Sequence, residues 1–142
     1  MRWRVMVVLG VVALLALAGC GSGTGSSETN TVTDEAKTSY TQITQDEAKD
    51  MMAHDDGHLI VDVRRQEEFD AGHIPGAIVI PNESIGTEQP KELPDLNQVI
   101  LVYCRTGNRS KQAAQKLSDM GYTNVYEFGG IESWTGEVVT EE

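Results

Sequence analysis

A cysteine that is followed by a short polar loop is the feature of this sequence best suited to chemistry. The segment reads Cys104-Arg105-Thr106-Gly107-Asn108-Arg109-Ser110. A thiolate is a good nucleophile, and it is stabilised where backbone N–H groups and positive charge converge on the sulfur. A glycine-containing turn that runs into a helix supplies such N–H groups and the positive end of the helix dipole. We therefore predict that the Cys104 thiolate is a nucleophile at neutral pH and needs no neighbouring histidine as its base.

The two arginines of this loop, Arg105 and Arg109, would draw an anionic substrate to the sulfur. They stand out because the 142 residues include 11 Lys and Arg against 22 Asp and Glu, for a formal charge of −11. That acidity excludes nucleic acid as a partner, since phosphate binding needs clustered cations. A buried, inert cysteine beside a solvated basic turn is the alternative interpretation, and the convergence of loop features favours the reactive one.

The elements around Cys104 place it where parallel α/β sheets bind ligands. Residues 98–103 are almost wholly apolar and predict a buried strand, and a helix is predicted from near residue 109 to residue 120, with Gly121 as its cap. Cys104 then lies at the carboxyl end of a strand and just before a helix. This is the edge at which such sheets hold their ligands.

The chain from about residue 39 alternates short apolar runs with helical stretches. Thr44 and Glu47 form a capping box that predicts a helix through about Met52. Further strands are predicted at 59–63, 77–80 and 125–127, and further helices at 66–71 and from near 130. Apolar strands alternating with helices predict an α/β fold with a parallel sheet covered on both faces. About 100 residues suffice for one such domain, and not for two.

The N-terminus has the features of an export signal. Two arginines precede an uninterrupted run of 14 apolar or glycine residues, from Val5 to Ala18. A spanning helix needs about 20 apolar residues, so the run is short for a transmembrane segment. The run ends Leu17-Ala18-Gly19-Cys20, which resembles the lipobox of bacterial lipoproteins. The resemblance implies cleavage before Cys20 and a lipid on its sulfur; an ordinary signal peptide or an uncleaved anchor is the alternative.

These features divide the chain into four parts. They are a signal peptide (1–19), a lipidated Cys20 with a Gly/Ser/Thr-rich tether to residue 38, a domain at 39–139 and an acidic tail at 140–142. Removal of the signal takes away two cations and no acids, so the mature charge is −13. Anionic head groups would repel such a surface, so the lipid itself must hold the protein at the membrane. We expect an extracytoplasmic location, on the outer face of the cytoplasmic membrane or in the periplasm.

Several segments together resemble the rhodanese (sulfurtransferase) family. They are Cys104 to Ser110, Asp62-Val63-Arg64, Glu67-Glu68-Phe69, Gly72-His73-Ile74-Pro75-Gly76-Ala77, Gly121-Tyr122-Thr123-Asn124-Val125-Tyr126, and Gly129-Gly130-Ile131 with Trp134. The similarity spans essentially residues 40–135 in the family's order. It implies a single-domain α/β fold whose five-stranded parallel sheet is flanked by helices on both faces.

The resemblance also implies a reaction. The Cys104 thiolate would attack the outer sulfur of thiosulfate or a similar small anionic donor, expel sulfite and become a persulfide. Cyanide or a thiol would then remove the sulfur, which gives ping-pong kinetics. The loop residues expected to bind the donor are Arg105, Thr106, Gly107, Asn108 and Arg109. No cofactor and no metal are required, and a monomer is the default expectation.

The sequence has two alternative interpretations besides a sulfurtransferase. Tyrosine phosphatases and arsenate reductases also use a cysteine loop that ends in arginine. Four residues separate Cys104 from Arg109, one fewer than in the phosphatase pattern, so the loop resembles the sulfur-transferring class. A module that carries a persulfide or binds a partner without turnover is the second alternative. The intact cysteine and loop favour the enzyme.

Supporting residues are predicted near the same edge of the sheet. We hypothesise that Asp62 or Glu68 orients a loop arginine and that Arg64 lines the pocket; an Asp62–Arg64 surface pair is the competing hypothesis. His73 lies in a turn that leads into a strand, where an imidazole can satisfy backbone groups, so a structural role is expected. His54 and His58 fit a solvated turn better than a metal site. Trp134 is expected to pack, or to form one wall of the pocket mouth.

Overall fold

Five strands form one wholly parallel sheet. The strands are β1 (Thr41–Gln42), β2 (Leu59–Asp62), β3 (Ala77–Val79), β4 (Val99–Cys104) and β5 (Asn124–Gly130). Their order across the sheet is β1-β5-β4-β2-β3. The structure is a computed structural model that describes residues 39–141. The predicted signal, Cys20 and the tether lie outside the described residues, and no helix within 39–141 has the length and apolarity to cross a bilayer.

Residues 39–141 form three α-helices. They are α1 (Gln45–Met52), α2 (Gln66–Asp70) and α3 (Asn108–Met120), and 3₁₀ turns follow at Asn82–Ser84 and Ile131–Ser133. Of these helices, α1 and α3 pack on the sheet. The capping box of α1 forms as predicted, because Glu47 N–H donates to the Thr44 hydroxyl and Thr44 N–H donates to the Glu47 carboxylate. Gly121 ends α3 in the left-handed conformation. The predicted α/β fold with a five-stranded parallel sheet is confirmed.

The central strand β4 is apolar because both of its faces are buried. Its side chains alternate between two core clusters, one on each face of the sheet. Ile100, Val102 and Cys104 pack into the cluster under α3, together with Ala113 and other residues of that helix. Leu101 and Tyr103 point to the other face of the sheet, into the cluster under α1. The buried members of that cluster are Ala48, Ile60, Ile74, Leu101, Tyr103 and Phe128.

Two strands differ from the sequence predictions. β1 is only two exposed polar residues, and it becomes a strand through its pairing with β5, in which Thr41 aligns with Tyr126. β5 continues to Gly130, beyond the predicted 125–127, because Gly130 pairs with Cys104 after a shift in register. This late pairing brings the end of β5 directly against the cysteine loop.

Candidate active site

The thiol of Cys104 lies at the carboxyl end of β4, beneath the loop that leads into α3. The residue is completely buried. Its Sγ atom accepts a hydrogen bond from the backbone N–H of Gly107 at 3.0 Å, and Sγ lies 3.5 Å from the hydroxyl oxygen of Ser110. Gly107 is also the N-cap of α3, so the positive end of that helix meets the sulfur. The arrangement stabilises negative charge on sulfur.

Two glycines give the loop its shape. Gly107 has φ +104°, in the left-handed region that side chains rarely adopt. Gly130 packs so closely under the loop that a Cβ atom there would lie 2.1 Å from the carbonyl oxygen of Arg105. That carbonyl accepts the N–H of Glu132 at 3.2 Å. The loop is therefore held between the N-terminus of α3 and the end of β5.

Arg109 is fixed by a carboxylate from α2. Its guanidinium donates to both oxygens of Glu68, at 2.7 and 2.9 Å, although the two residues lie 41 positions apart. These hydrogen bonds lower the pKa of Glu68 to about 2 and raise the pKa of Arg109. Of the two acids proposed to orient a loop arginine, Asp62 and Glu68, the one that contacts Arg109 is Glu68.

The remaining loop side chains lie at the surface. Arg105 pairs with Glu132 at 2.7 Å, and the two side chains are 63% and 53% exposed. Thr106 and Asn108 are exposed as well. Both loop arginines are thus engaged by carboxylates, so the rim of the site carries little unbalanced positive charge.

Asp62 and Arg64 form a buried ion pair on the opposite face of the sheet. The Arg64 Nη2 atom lies 2.6 Å from the Asp62 carboxylate and 2.6 Å from the carbonyl oxygen of Gly72. Asp62 aligns with Tyr103, which belongs to the core cluster under α1, whereas Cys104 faces α3. Asp62 therefore holds Arg64 rather than a loop arginine. Strand alternation sends their side chains to the other side.

The histidines and Trp134 take structural positions. The buried His73 ring stacks on Phe69 with centroids 3.7 Å apart, and its Nδ1 atom donates to the Phe69 carbonyl oxygen at 2.9 Å. The His54 Nδ1 atom lies 2.7 Å from the Asp50 carbonyl oxygen, and His58 pairs with a turn aspartate. Trp134 packs on Phe128 in the cluster under α1, away from the thiol, beside a cavity of about 410 Å³.

Two buried polar residues beneath the loop, Ser110 and Glu127, are not predicted as functional groups from the sequence. The Ser110 hydroxyl lies 2.6 Å from the Oε1 atom of Glu127, and these residues are 0% and 2% exposed. The position of Glu127 in β5, two residues after Val125, is the feature that could have indicated a buried carboxylate. Because side chains alternate along a strand, Glu127 points to the same core as Val125. A carboxylate at such a position needs an internal partner.

The parallel sheet, the cysteine at the carboxyl end of its central strand and the helix N-terminus at the sulfur define an α/β protein with a cysteine loop at the ligand-binding edge of its sheet. Within that class, the sequence profile of the Rhodanese-like domain matches residues 44–137. The chain therefore belongs to the rhodanese-like family, as the motifs predicted.

Curated relatives include sulfurtransferases. The chain is 41% identical over 71 residues to the thiosulfate sulfurtransferase PspE of Escherichia coli. That match covers 50% of this chain and 68% of the relative. It is 37% identical over 89 residues to the adenylyltransferase and sulfurtransferase UBA4 of Meyerozyma guilliermondii. That match covers 57% of this chain and 21% of the relative, so the chain spans only about a fifth of the yeast protein.

Solved structures show the same fold. A structure described as a rhodanese with anions from E. coli is 36% identical, with a TM-score of 0.54, and the match covers 59% of this chain and 99% of that one. A rhodanese-like domain protein from Staphylococcus aureus is 31% identical, with a TM-score of 0.61, over 72% of this chain and 99% of that one.

Proposed function

We propose that the protein is a sulfurtransferase that moves a sulfane sulfur from thiosulfate or a similar donor to cyanide or a thiol. The single observation that carries the proposal is the contact between the Cys104 sulfur and the Gly107 N–H at 3.0 Å. Membership of the rhodanese-like family and 41% identity to a thiosulfate sulfurtransferase support it. Cys104 is the nucleophile, and the loop from Arg105 to Arg109 binds the donor.

The first half-reaction forms a persulfide. The Cys104 thiolate attacks the outer sulfur of thiosulfate, the new S–S bond forms, and the bond between the donor's two sulfurs breaks with its electron pair going to sulfite. The outer sulfur becomes the anionic end of the persulfide. The loop N–H groups at the N-terminus of α3 stabilise that charge, in the way that helix termini hold anions.

The second half-reaction regenerates the thiolate. Cyanide or a thiolate attacks the terminal sulfur, the S–S bond on Cys104 breaks, and the electron pair returns to the cysteine sulfur. The product is thiocyanate or a persulfide of the acceptor. Because the donor's product leaves before the acceptor enters, the kinetics are ping-pong.

The donor is bound chiefly by the loop's N–H groups rather than by free cationic side chains. Arg109 and Arg105 are engaged by Glu68 and Glu132, respectively. Because the sulfur is completely buried, only a small donor can reach it. Thiosulfate fits this description, as do polysulfide and small persulfides.

The test is sulfur transfer by the full chain from thiosulfate to cyanide, alongside mass spectrometry of the Cys104 peptide. The expected result is the added mass of one sulfur atom after thiosulfate, its loss after cyanide, and no transfer by Cys104→Ser. Cys20→Ser, which removes the chain's other cysteine, is the matched control and should retain transfer. A persulfide that forms but does not move to cyanide would favour the carrier module. Absence of any adduct in folded protein would leave only a binding module.

We also propose that Cys20 carries a lipid that anchors the protein outside the cytoplasm, and that residues 1–19 are its signal. The basic start, the apolar run and the Leu17-Ala18-Gly19-Cys20 sequence support this proposal. The test is fractionation of bacterial cells that express the full chain. The wild type should be in the membrane fraction, and Cys20→Ser should lose the lipid mass. Recovery of both variants in the cytosol would contradict it.

A further inference from the structure

A buried carboxylate lies beneath the cysteine loop, and the sulfur chemistry described above does not use it. Glu127 of β5 is 2% exposed, and its Oε1 atom lies 2.6 Å from the hydroxyl oxygen of Ser110. The same hydroxyl oxygen lies 3.5 Å from the Sγ atom of Cys104. One serine hydroxyl therefore bridges the thiol and the carboxylate.

The Glu127 carboxylate is held by neutral donors. The backbone N–H of Gly129 donates to Oε1 at 2.9 Å, and the side-chain amide of Gln42 donates to Oε2 at 3.1 Å. Within the described part of the chain, no Lys, Arg or His forms an ion pair with it. A buried carboxylate without a counter-ion is costly as an anion and far better tolerated with a proton.

The contacts of Ser110 require one more proton than its hydroxyl supplies. The hydroxyl oxygen lies 2.6 Å from Glu127 Oε1 and 2.9 Å from the carbonyl oxygen of Gly107. Each close contact between oxygens needs a bridging proton, and a serine hydroxyl has one. If Glu127 is protonated, it donates to Ser110 and Ser110 donates to Gly107, so both contacts are hydrogen bonds. The Cys104 thiol contacts the same hydroxyl oxygen and carries a proton within reach of it.

We propose that Glu127 accepts the proton of Cys104 through Ser110. The S–H bond breaks and its proton passes to the Ser110 oxygen, while the original hydroxyl proton passes to Oε1 of Glu127. A neutral thiol and a carboxylate become a thiolate and a carboxylic acid, and the total charge is unchanged. Glu127 is thus a positioning residue that acts through Ser110. The proposal rests on the proposed function, in which this thiolate attacks the donor.

Gly107 links the two halves of this arrangement. Its carbonyl oxygen accepts the Ser110 hydroxyl, while its N–H donates to the Cys104 sulfur. Once the proton has moved, Gly107 therefore contacts both groups, because its carbonyl oxygen accepts from the serine and its N–H donates to the thiolate. The proton transfer also removes a negative charge from Glu127 at the moment when one appears on sulfur.

Other charged groups around this cluster are already engaged. Those around the loop are Arg109 with Glu68, Glu83 near Arg109, and Arg105 with Glu132. From β1, the side chain that meets Glu127 is the neutral Gln42. Arg109 lies near Cys104 and pairs with Glu68 whether or not Glu127 is present. The effect of Glu127 must therefore be measured by its removal.

The test follows the rate at which a small alkylating reagent modifies Cys104 in the full chain as the pH changes, resolved by mass spectrometry of the Cys104 peptide. Glu127→Gln keeps the shape and can donate to Ser110, but it cannot accept a proton. Ser110→Ala breaks the path, and Glu92→Gln, which changes an exposed acid, is the matched control. No sulfur donor is needed, so the result does not depend on whether the protein transfers sulfur.

In the wild type, internal transfer predicts an alkylation rate that is nearly constant between about pH 5.5 and pH 7.5, because the proton is exchanged within the cluster. Glu127→Gln and Ser110→Ala should each show a rate that rises about tenfold per pH unit below its midpoint. Glu92→Gln should match the wild type. Coincident profiles for all four proteins would overturn the proposal. So would a Glu127→Gln profile displaced to lower pH, since that would mean that Glu127 only repels the thiolate.

Discussion

The backbone N–H of Gly107 and the sulfur of Cys104 lie 3.0 Å apart, which joins the N-terminus of α3 to the end of β4 through a single hydrogen bond. The bond exists because Gly107 adopts φ +104°, a conformation that turns its N–H back toward the strand. The strand, the turn and the helix therefore act as one unit that places a dipole at the thiol.

Replacing Gly107 should impair both stability and chemistry. Gly107→Ala places a side chain at φ +104°, although the added Cβ would meet nothing closer than 3.5 Å. Conformational strain alone should cost roughly 1–3 kcal/mol of unfolding free energy. Any shift of the N–H from the sulfur should slow persulfide formation about tenfold. Denaturant unfolding and the single-turnover rate with thiosulfate measure the two effects. Gly86→Ala is the control, because a Cβ there meets open space; equal behaviour of the two variants would refute the strain.

Replacing Gly130 should displace the loop by direct collision. In Gly130→Ala the new Cβ would lie 2.1 Å from the carbonyl oxygen of Arg105, so the loop or β5 must move. Overpacking of this kind costs about 1–3 kcal/mol. We expect a lower midpoint of denaturation and weaker persulfide formation in the folded protein. Wild-type values for both, with the substitution verified, would show that β5 does not hold the loop in place.

The Glu68–Arg109 pair should make stability depend on acid. The pKa of Glu68 is lowered from 4.5 to about 2 by Arg109, so its contribution is complete above pH 4.5 and is lost as the pH falls toward 2. The side chains are 26% and 28% exposed, which limits the contribution to about 1 kcal/mol. Glu68→Gln should therefore show a smaller loss of unfolding free energy than the wild type over that range.

The matched control for this experiment is Glu67→Gln, which changes an exposed acid of the same helix. Its stability should follow pH as the wild type does. If Glu68→Gln and the wild type lose equal stability in acid, Arg109 is not what lowers the pKa of Glu68.

Removing Asp62 should damage the fold far more than the sulfur chemistry. Asp62→Ala leaves the buried Arg64 without its counter-ion, and breaking such a pair costs about 3–5 kcal/mol. Asp62 lies on the face opposite the thiol, so persulfide formation by the folded fraction should stay within about twofold of the wild type. Asp55→Ala, an exposed substitution, should change neither. A large loss of activity at unchanged stability would contradict this prediction and would show that Asp62 acts in the sulfur chemistry.

The elements and the position of the cysteine loop follow from local sequence. The apolar run of β4 predicts a buried strand, the periodicity of α3 predicts a helix, and Thr44 with Glu47 marks the start of α1 through hydrogen bonds between near neighbours. The place of Cys104 follows from these elements, because parallel strands hold ligands at their carboxyl ends. β1 could not be predicted, since Thr41 and Gln42 become a strand only by pairing with a strand more than 80 residues away.

The partners of the loop arginines depend on contacts that the sequence does not encode locally. Arg109 of α3 and Glu68 of α2 meet only in the folded chain, since 41 positions separate them, and strand alternation turns Asp62 away from the loop. The same rule could have identified Glu127, because it lies two positions after Val125 in β5 and therefore points to the same buried face. It was missed because the hydroxyl that connects it to Cys104 belongs to a helix on another part of the chain.

The most direct measurement is the intact mass of the Cys104 peptide after the full chain is incubated with thiosulfate and then with cyanide. If Cys104 is the sulfur-carrying nucleophile, the peptide gains one sulfur atom, loses it to cyanide as thiocyanate appears, and shows neither change in Cys104→Ser. Thiocyanate production that persists in Cys104→Ser, or that proceeds with no sulfur on Cys104, would contradict this mechanism.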